Sequence, residues 1–158
     1  MKKILITFVV SLVIAAFTNA QEMTIKPYQK GDWASILKLA DGKPMAIHFW
    51  GVTCPPCVKE MPQWGKLISS DKAAKVVFIQ VDDVPPEIMR KMLEQAKLGN
   101  ANNYYIASPF DERLRYEIDP KWRGETPITI LIDKAGKKEM MIGSVNFQTV
   151  KAWFKKNS

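Results

Sequence analysis

The stretch Met45-Ala46-Ile47-His48-Phe49-Trp50-Gly51-Val52-Thr53-Cys54-Pro55-Pro56-Cys57 holds both cysteines of the 158-residue chain, and the rest is read outward from it. Met45 to Trp50 is an apolar and aromatic run of strand length. Gly51 lets the chain turn, and Pro56 suits the first position of a helix, where a missing N–H costs nothing. This order predicts a covered strand that delivers a dithiol to a helix start. Unpaired N–H groups and the helix dipole favour negative charge there, so Cys54 is the expected nucleophile. Cys57, one turn on, is spaced to attack a mixed disulfide at Cys54 and release the partner by closing a Cys54–Cys57 bond.

Other uses of the two thiols are weighed against this one. A structural zinc site needs four ligands, and the chain adds only His48 to the pair. A purely structural cross-link usually closes a longer loop. Copper binding would recruit Cys54, Cys57 and His48 as soft ligands, and Cu(I) binding without disulfide reduction would mark it. Thiol exchange itself needs neither metal nor cofactor.

On the N-terminal side, Asp32 is read as the cap of a helix through Trp33, Ile36, Leu37 and Ala40, ended by Asp41-Gly42-Lys43-Pro44. Thr24 to Tyr28 is a candidate edge strand. Lys2 and Lys3, the apolar stretch Ile4 to Phe17 and then Thr18-Asn19-Ala20 follow the order of a secretory signal. Residues 1–20 are therefore expected to be a cleaved leader, with an uncleaved anchor as the alternative, and 21–158 the exported domain, placed in the periplasm. An oxidising compartment would close an exposed thiol pair unless a redox partner keeps reducing it. The formal charge of +7 falls to +5 without Lys2 and Lys3. The lysines are scattered along the sequence without an aromatic-basic pattern, so they are read as solvated surface and nucleic acid is excluded as a partner.

On the C-terminal side, Val58, Met61, Trp64, Leu67 and Ile68 mark one helix face, with Pro62 expected to kink it and Glu60 read as a helix-face charge. Val76 to Val81 is a β-branched strand. Glu87 to Leu98 is the next helix, with Ile88, Met92 and Leu93 inward, and Asn102 to Tyr105 is ambiguous. Asp111 to Tyr116 is expected to form a helical turn or two. Pro127 to Asp133 and Glu139 to Ile142 form a hairpin, and Asn146 caps a closing helix through Phe147, Val150, Trp153 and Phe154. Alternating strands and helices followed by a hairpin and a helix argue an α/β sandwich around a mixed sheet.

Four separated features resemble the thioredoxin-like superfamily, and most closely its exported TlpA/ResA-like branch. They are the Phe49-Trp50 strand end, Cys54-Pro55-Pro56-Cys57, Pro62, and Thr126-Pro127 leading into Ile128 to Asp133. The resemblance implies a central mixed sheet flanked by helices, with a helical insertion ahead of the Pro127 strand. It implies a cis Pro127 which, with Thr126 and Trp50, meets the substrate segment. It also implies a monomeric thiol-disulfide oxidoreductase acting on disulfides of exported proteins and recharged by a membrane thiol donor of the DsbD/CcdA kind, with apocytochrome c as one substrate class; an oxidase or isomerase is the alternative. His48 stands where thioredoxins carry a buried acid, so it is read, with Pro55 and Pro56, as tuning the redox pair or as a packed core histidine. Thr53 replaces the aromatic residue usual before the first cysteine, and Glu125 is read as a solvated loop acid.

Overall fold

A computed structural model describes residues 23–158 of the chain, so the leader expected over residues 1–20 lies outside the described residues. The β-branched and apolar runs form six strands: β1 (Ile25–Tyr28), β2 (Met45–Trp50), β3 (Lys75–Gln80), β4 (Asn102–Ile106), β5 (Ile128–Ile132) and β6 (Lys138–Ile142). They make one sheet in the order β1-β4-β3-β2-β5-β6. The first four run parallel, and β5 and β6 close the sheet antiparallel. All four parallel strands therefore end at the same pole.

Five helices cover the two faces: α1 (Trp33–Lys38), α2 (Pro55–Ser70), α3 (Pro86–Gln95), α4 (Glu112–Ile118) and α5 (Phe147–Asn157). Strand alternation divides the core between them. Ala46, Trp50, Val76, Phe78 and Leu131 point toward α2, α3 and α5, where they pack with Met61, Trp64, Leu67, Leu93, Val150 and Phe154. Met45, Ile47, Phe49, Val77 and Ile130 point the other way, onto Trp33 and Ile36 of α1 and Leu114 and Ile118 of α4. This is the expected α/β sandwich around a mixed sheet. β2 lies inside it, buried at every residue, because a strand covered on both faces has no polar side to show.

The insertion lies between β3 and β5 and contributes α3, β4 and α4. The ambiguous Asn102 to Tyr105 segment is β4, which joins β3 to the edge strand β1. Two local expectations are corrected. Asp32 makes no side-chain cap to α1; its carboxylate instead accepts the Gln29 N–H at 2.9 Å and holds the preceding turn. In α3 the residue facing the core is Met89 and not Ile88, which is 45% exposed, because Met89 shares a face with Leu93 one turn on. Pro62 lies inside α2, which continues from Pro55 to Ser70. Asn146 caps α5 as expected, accepting from the Gln148 and Thr149 N–H groups.

Candidate active site

β2 ends at Trp50, and Gly51 begins the turn into α2. A side chain at Gly51 would collide with the Asp82 carboxylate, which lies under 3 Å from where its Cβ would stand. That carboxylate accepts the Thr53 N–H at 2.9 Å and the Thr53 hydroxyl at 3.1 Å, tying the end of β3 to the residue before the first cysteine. Asp82 is a site residue that the sequence reading does not name. Thr53 thus replaces an aromatic residue with a polar anchor for the loop.

Cys54 is the N-cap of α2, and Pro55 and Pro56 form its first two positions. Cys54 and Cys57 are joined as a disulfide with Cα atoms 5.2 Å apart. Their environments differ: Cys54 is half-buried, whereas Cys57 is 0% exposed. An incoming thiolate can reach only the first sulfur. Trp50 has no exposed surface and packs with Cys57 and Met61, so it supports the dithiol from below, and the expectation that it meets substrate is corrected for this oxidised state. Trp122 is also buried, between Phe49 and Phe110, and its indole N–H donates to the Glu125 carbonyl at 2.9 Å.

The Thr126–Pro127 peptide bond is cis. Ile128 pairs with Phe49, so Pro127 sits level with Trp50, at the end of the strand that delivers the dithiol. Pro127 is buried and Thr126 half-buried, whereas the Glu125 side chain is exposed.

Beneath the disulfide lies a polar chain that the sequence showed only in part. His48 is fully buried on β2, with its ring 5.0 Å from that of Trp64 and 6.0 Å from that of Phe78. Its Nδ1 is 3.0 Å from the Thr129 hydroxyl of β5, and its Nε2 is 3.2 Å from Glu60 Oε1. The other Glu60 oxygen accepts the Val145 N–H at 3.2 Å. Glu60 is therefore no helix-face charge: it is 2% exposed and faces inward from α2. The signal was present in the spacing, since residue 60 follows Cys57 by three and precedes Trp64 by four, on the apolar side of the helix.

Burial pushes the Glu60 carboxyl up from 4.5 to about 7 and holds His48 neutral, well below its ordinary 6.5. The folded pair thus keeps one proton where the unfolded chain passes from two protons below pH 4.5 to none above 6.5. Stability follows the difference in bound protons. As pH falls below 4.5 the unfolded chain gains the second proton and stability is lost; as pH rises from 6.5 to about 7 the folded chain retains a proton the unfolded one releases, and stability is again lost. Between those limits the two effects offset. Urea midpoints across pH should show a plateau with flanks of at most about 1.4 kcal/mol per pH unit, relative to a Glu60→Gln, His48→Asn double variant. A difference between the two proteins that is independent of pH would contradict the assignment.

The chain is similar to known proteins in sequence and in fold. A family model described as Redoxin matches residues 16–145. The chain is 31% identical over 122 residues to the thiol-disulfide oxidoreductase ResA of Bacillus anthracis, covering 76% of this chain and 66% of that protein. It is 26% identical over 113 residues to the sporulation thiol-disulfide oxidoreductase A of Bacillus subtilis, covering 71% of this chain and 67% of that one. Among solved structures it resembles a thioredoxin-family thiol:disulfide interchange protein from Chlorobium tepidum, with a TM-score of 0.62 at 18% identity over 78% of this chain and 83% of that one. The chain spans about two thirds of the length of the ResA proteins it matches. With a dithiol at a helix start, a cis proline level with the strand that delivers it, and a helical insertion in a mixed sheet, the chain belongs to the Redoxin family, with a TlpA/ResA-like thioredoxin fold.

Proposed function

We propose that this protein is a thiol-disulfide oxidoreductase that reduces disulfides in other exported proteins of the periplasm. The observation that carries the reading is the asymmetry of the pair: a reachable Cys54 at the mouth of α2 and a sealed Cys57, with the buried Glu60 three residues further along the same helix. In the reduced protein the Cys54 thiolate attacks a substrate disulfide, forming a mixed disulfide and expelling one substrate thiolate. Cys57 then gives its proton to Glu60 and attacks the Cys54 sulfur. The mixed disulfide breaks, the second substrate sulfur leaves as thiolate, and two electrons have passed to the substrate. Thr126 and Pro127 line the approach for an extended substrate segment. A membrane thiol donor of the DsbD/CcdA kind restores the dithiol, and the protein works as a monomer.

The helix start supports this direction of transfer. Pro55 and Pro56 remove two N–H groups from the first turn, and the Val58 N–H is committed to the Cys54 carbonyl at 3.1 Å. Few donors are left to stabilise a thiolate on Cys54, and a poorly stabilised dithiol gives its electrons away. Equilibration of the Cys54/Cys57 couple against a glutathione series tests this. The expected result is a two-electron couple more reducing than about −180 mV, the level of a disulfide isomerase, and any more oxidising potential, toward the roughly −120 mV of strong oxidants, would reverse the assignment. The relatives named above support the reaction class, and reduction of apocytochrome c disulfides is the substrate class we assign to it.

A further inference from the structure

The lysines that look scattered in the sequence are gathered by the fold. Strands β1, β4, β3 and β2 all begin at the pole opposite the dithiol, and β5 ends there because Ile132 pairs with Met45. A cleft of about 590 Å³ at this pole is lined by Lys43 from the turn before β2, Lys72 from the end of α2, Lys75 at the start of β3 and Lys134 from the β5–β6 turn. No aspartate or glutamate lines it. Of the neighbouring acids, Asp71 and Asp133 accept from backbone N–H groups of Ala73, Ala135 and Lys137, and Asp41, next to Gly42, is exposed. Among the described residues, none of the four lysines forms an ion pair. At the dithiol end, by contrast, Lys59, Lys121 and Arg123 share the surface with Asp82, Asp83, Asp111, Glu112 and Glu125.

The chain also enters at the lysine pole. The Met23 carbonyl accepts from Arg90 at 2.9 Å, and the Met23 methyl lies beside Gly99. Thr24 then borders Asn100 to Asn102, which also line the lysine cleft. Retained as the uncleaved anchor, the segment carrying Lys2, Lys3 and the apolar stretch Ile4 to Phe17 would attach through Met23, at this same pole. Unpaired positive charge gathered next to an apolar segment is the complement of a membrane whose headgroups are negative.

We propose that this lysine-lined pole rests on an anionic phospholipid surface, leaving the dithiol at the far end of the sheet directed away from the bilayer. Attraction of this kind is electrostatic and falls off within a Debye length, so salt must weaken it. An apolar leader alone would hold the chain on neutral and anionic membranes alike.

The test uses the full chain on vesicles of phosphatidylcholine, with or without phosphatidylglycerol, exposed briefly to an amine-acylating reagent and read by peptide mass spectrometry. On the anionic vesicles Lys43, Lys72, Lys75 and Lys134 should react about fivefold more slowly than on neutral ones, and about 0.5 M salt should remove the difference. Lys59 and Lys121 should react equally on both. Replacing all four by glutamine (Lys43→Gln, Lys72→Gln, Lys75→Gln, Lys134→Gln) should lower binding to anionic vesicles to the level on neutral ones, while disulfide exchange in solution is unchanged. Equal acylation of the four on both vesicle types would overturn the proposal, leaving them to solvent or to an acidic protein. So would protection that extends equally to Lys59 and Lys121, or a quadruple variant that still prefers anionic vesicles.

Discussion

Cys57→Ser is expected to leave the protein covalently attached to its substrate through Cys54, and Cys54→Ser to lower disulfide reduction by at least about a thousandfold. The two substitutions remove the same kind of atom yet stop the reaction at different points. Without Cys54 there is no sulfur that a substrate disulfide can reach, because Cys57 is 0% exposed. Without Cys57 the first attack proceeds, but nothing inside the protein can resolve the intermediate, so the mixed disulfide persists until an external thiol removes it. Non-reducing electrophoresis with a disulfide-bonded protein substrate reads the difference directly. The reverse pattern, a complex trapped by Cys54→Ser, would mean that the buried sulfur is the one attacked. Glu60→Gln should resemble a weak form of Cys57→Ser, with normal attack and delayed release, since it removes the acceptor on the turn after Cys57.

Gly65→Ala is expected to destabilise the fold by about 3 kcal/mol, although the same change in an exposed helix interior would stabilise it by roughly 1 kcal/mol. Gly65 is buried in α2, and a Cβ there would run into the carbonyl oxygen of Ala96, at the end of α3. The obstacle is backbone, so no side chain can rotate out of its way. Either α2 or the insertion must move, and Met89 and Leu93, packed in the same core, would lose contacts with it. At roughly 2–4 °C for each kcal/mol, the melting temperature should fall by about 6–12 °C. A melting temperature that is unchanged or raised would show that α3 does not lie against α2 as described.

The architecture was legible where local pattern and tertiary environment agree. Met45 to Trp50 reads as a covered strand because it is apolar throughout, and the structure buries each of its residues. Asn146 serves as the cap of α5 because its side chain has few other uses at that position. Legibility failed where a residue's role depends on what arrives from elsewhere in the chain. Asp32 is a strong capping residue by type, but the Gln29 N–H claims its carboxylate. Asn102 to Tyr105 has too few apolar residues to announce a strand, and it becomes one because β3 and β1 offer free edges on either side.

The site divides along the same line. Cys54, Cys57 and the cis Thr126–Pro127 bond lie in short motifs and could be read directly or by resemblance. Glu60 departs from the sequence expectation because a charged residue on a helix is usually solvated. Here His48 and the Val145 N–H, from two other parts of the chain, supply the partners that make its burial tolerable. Asp82 was missed for the same reason, since its partner Thr53 lies 29 residues away. The lysine cleft is a further case: four residues spread from position 43 to 134 share one pole only because parallel strands begin together.

Disulfide exchange here depends on the inequality of two sulfurs three residues apart, and timed alkylation of the reduced protein measures it most directly. With iodoacetamide limiting and peptides analysed by mass spectrometry, Cys54 should be modified first, at least about tenfold faster than Cys57, because only Cys54 is both at the helix mouth and open to solvent. Equal rates for the two cysteines, or faster modification of Cys57, would contradict it.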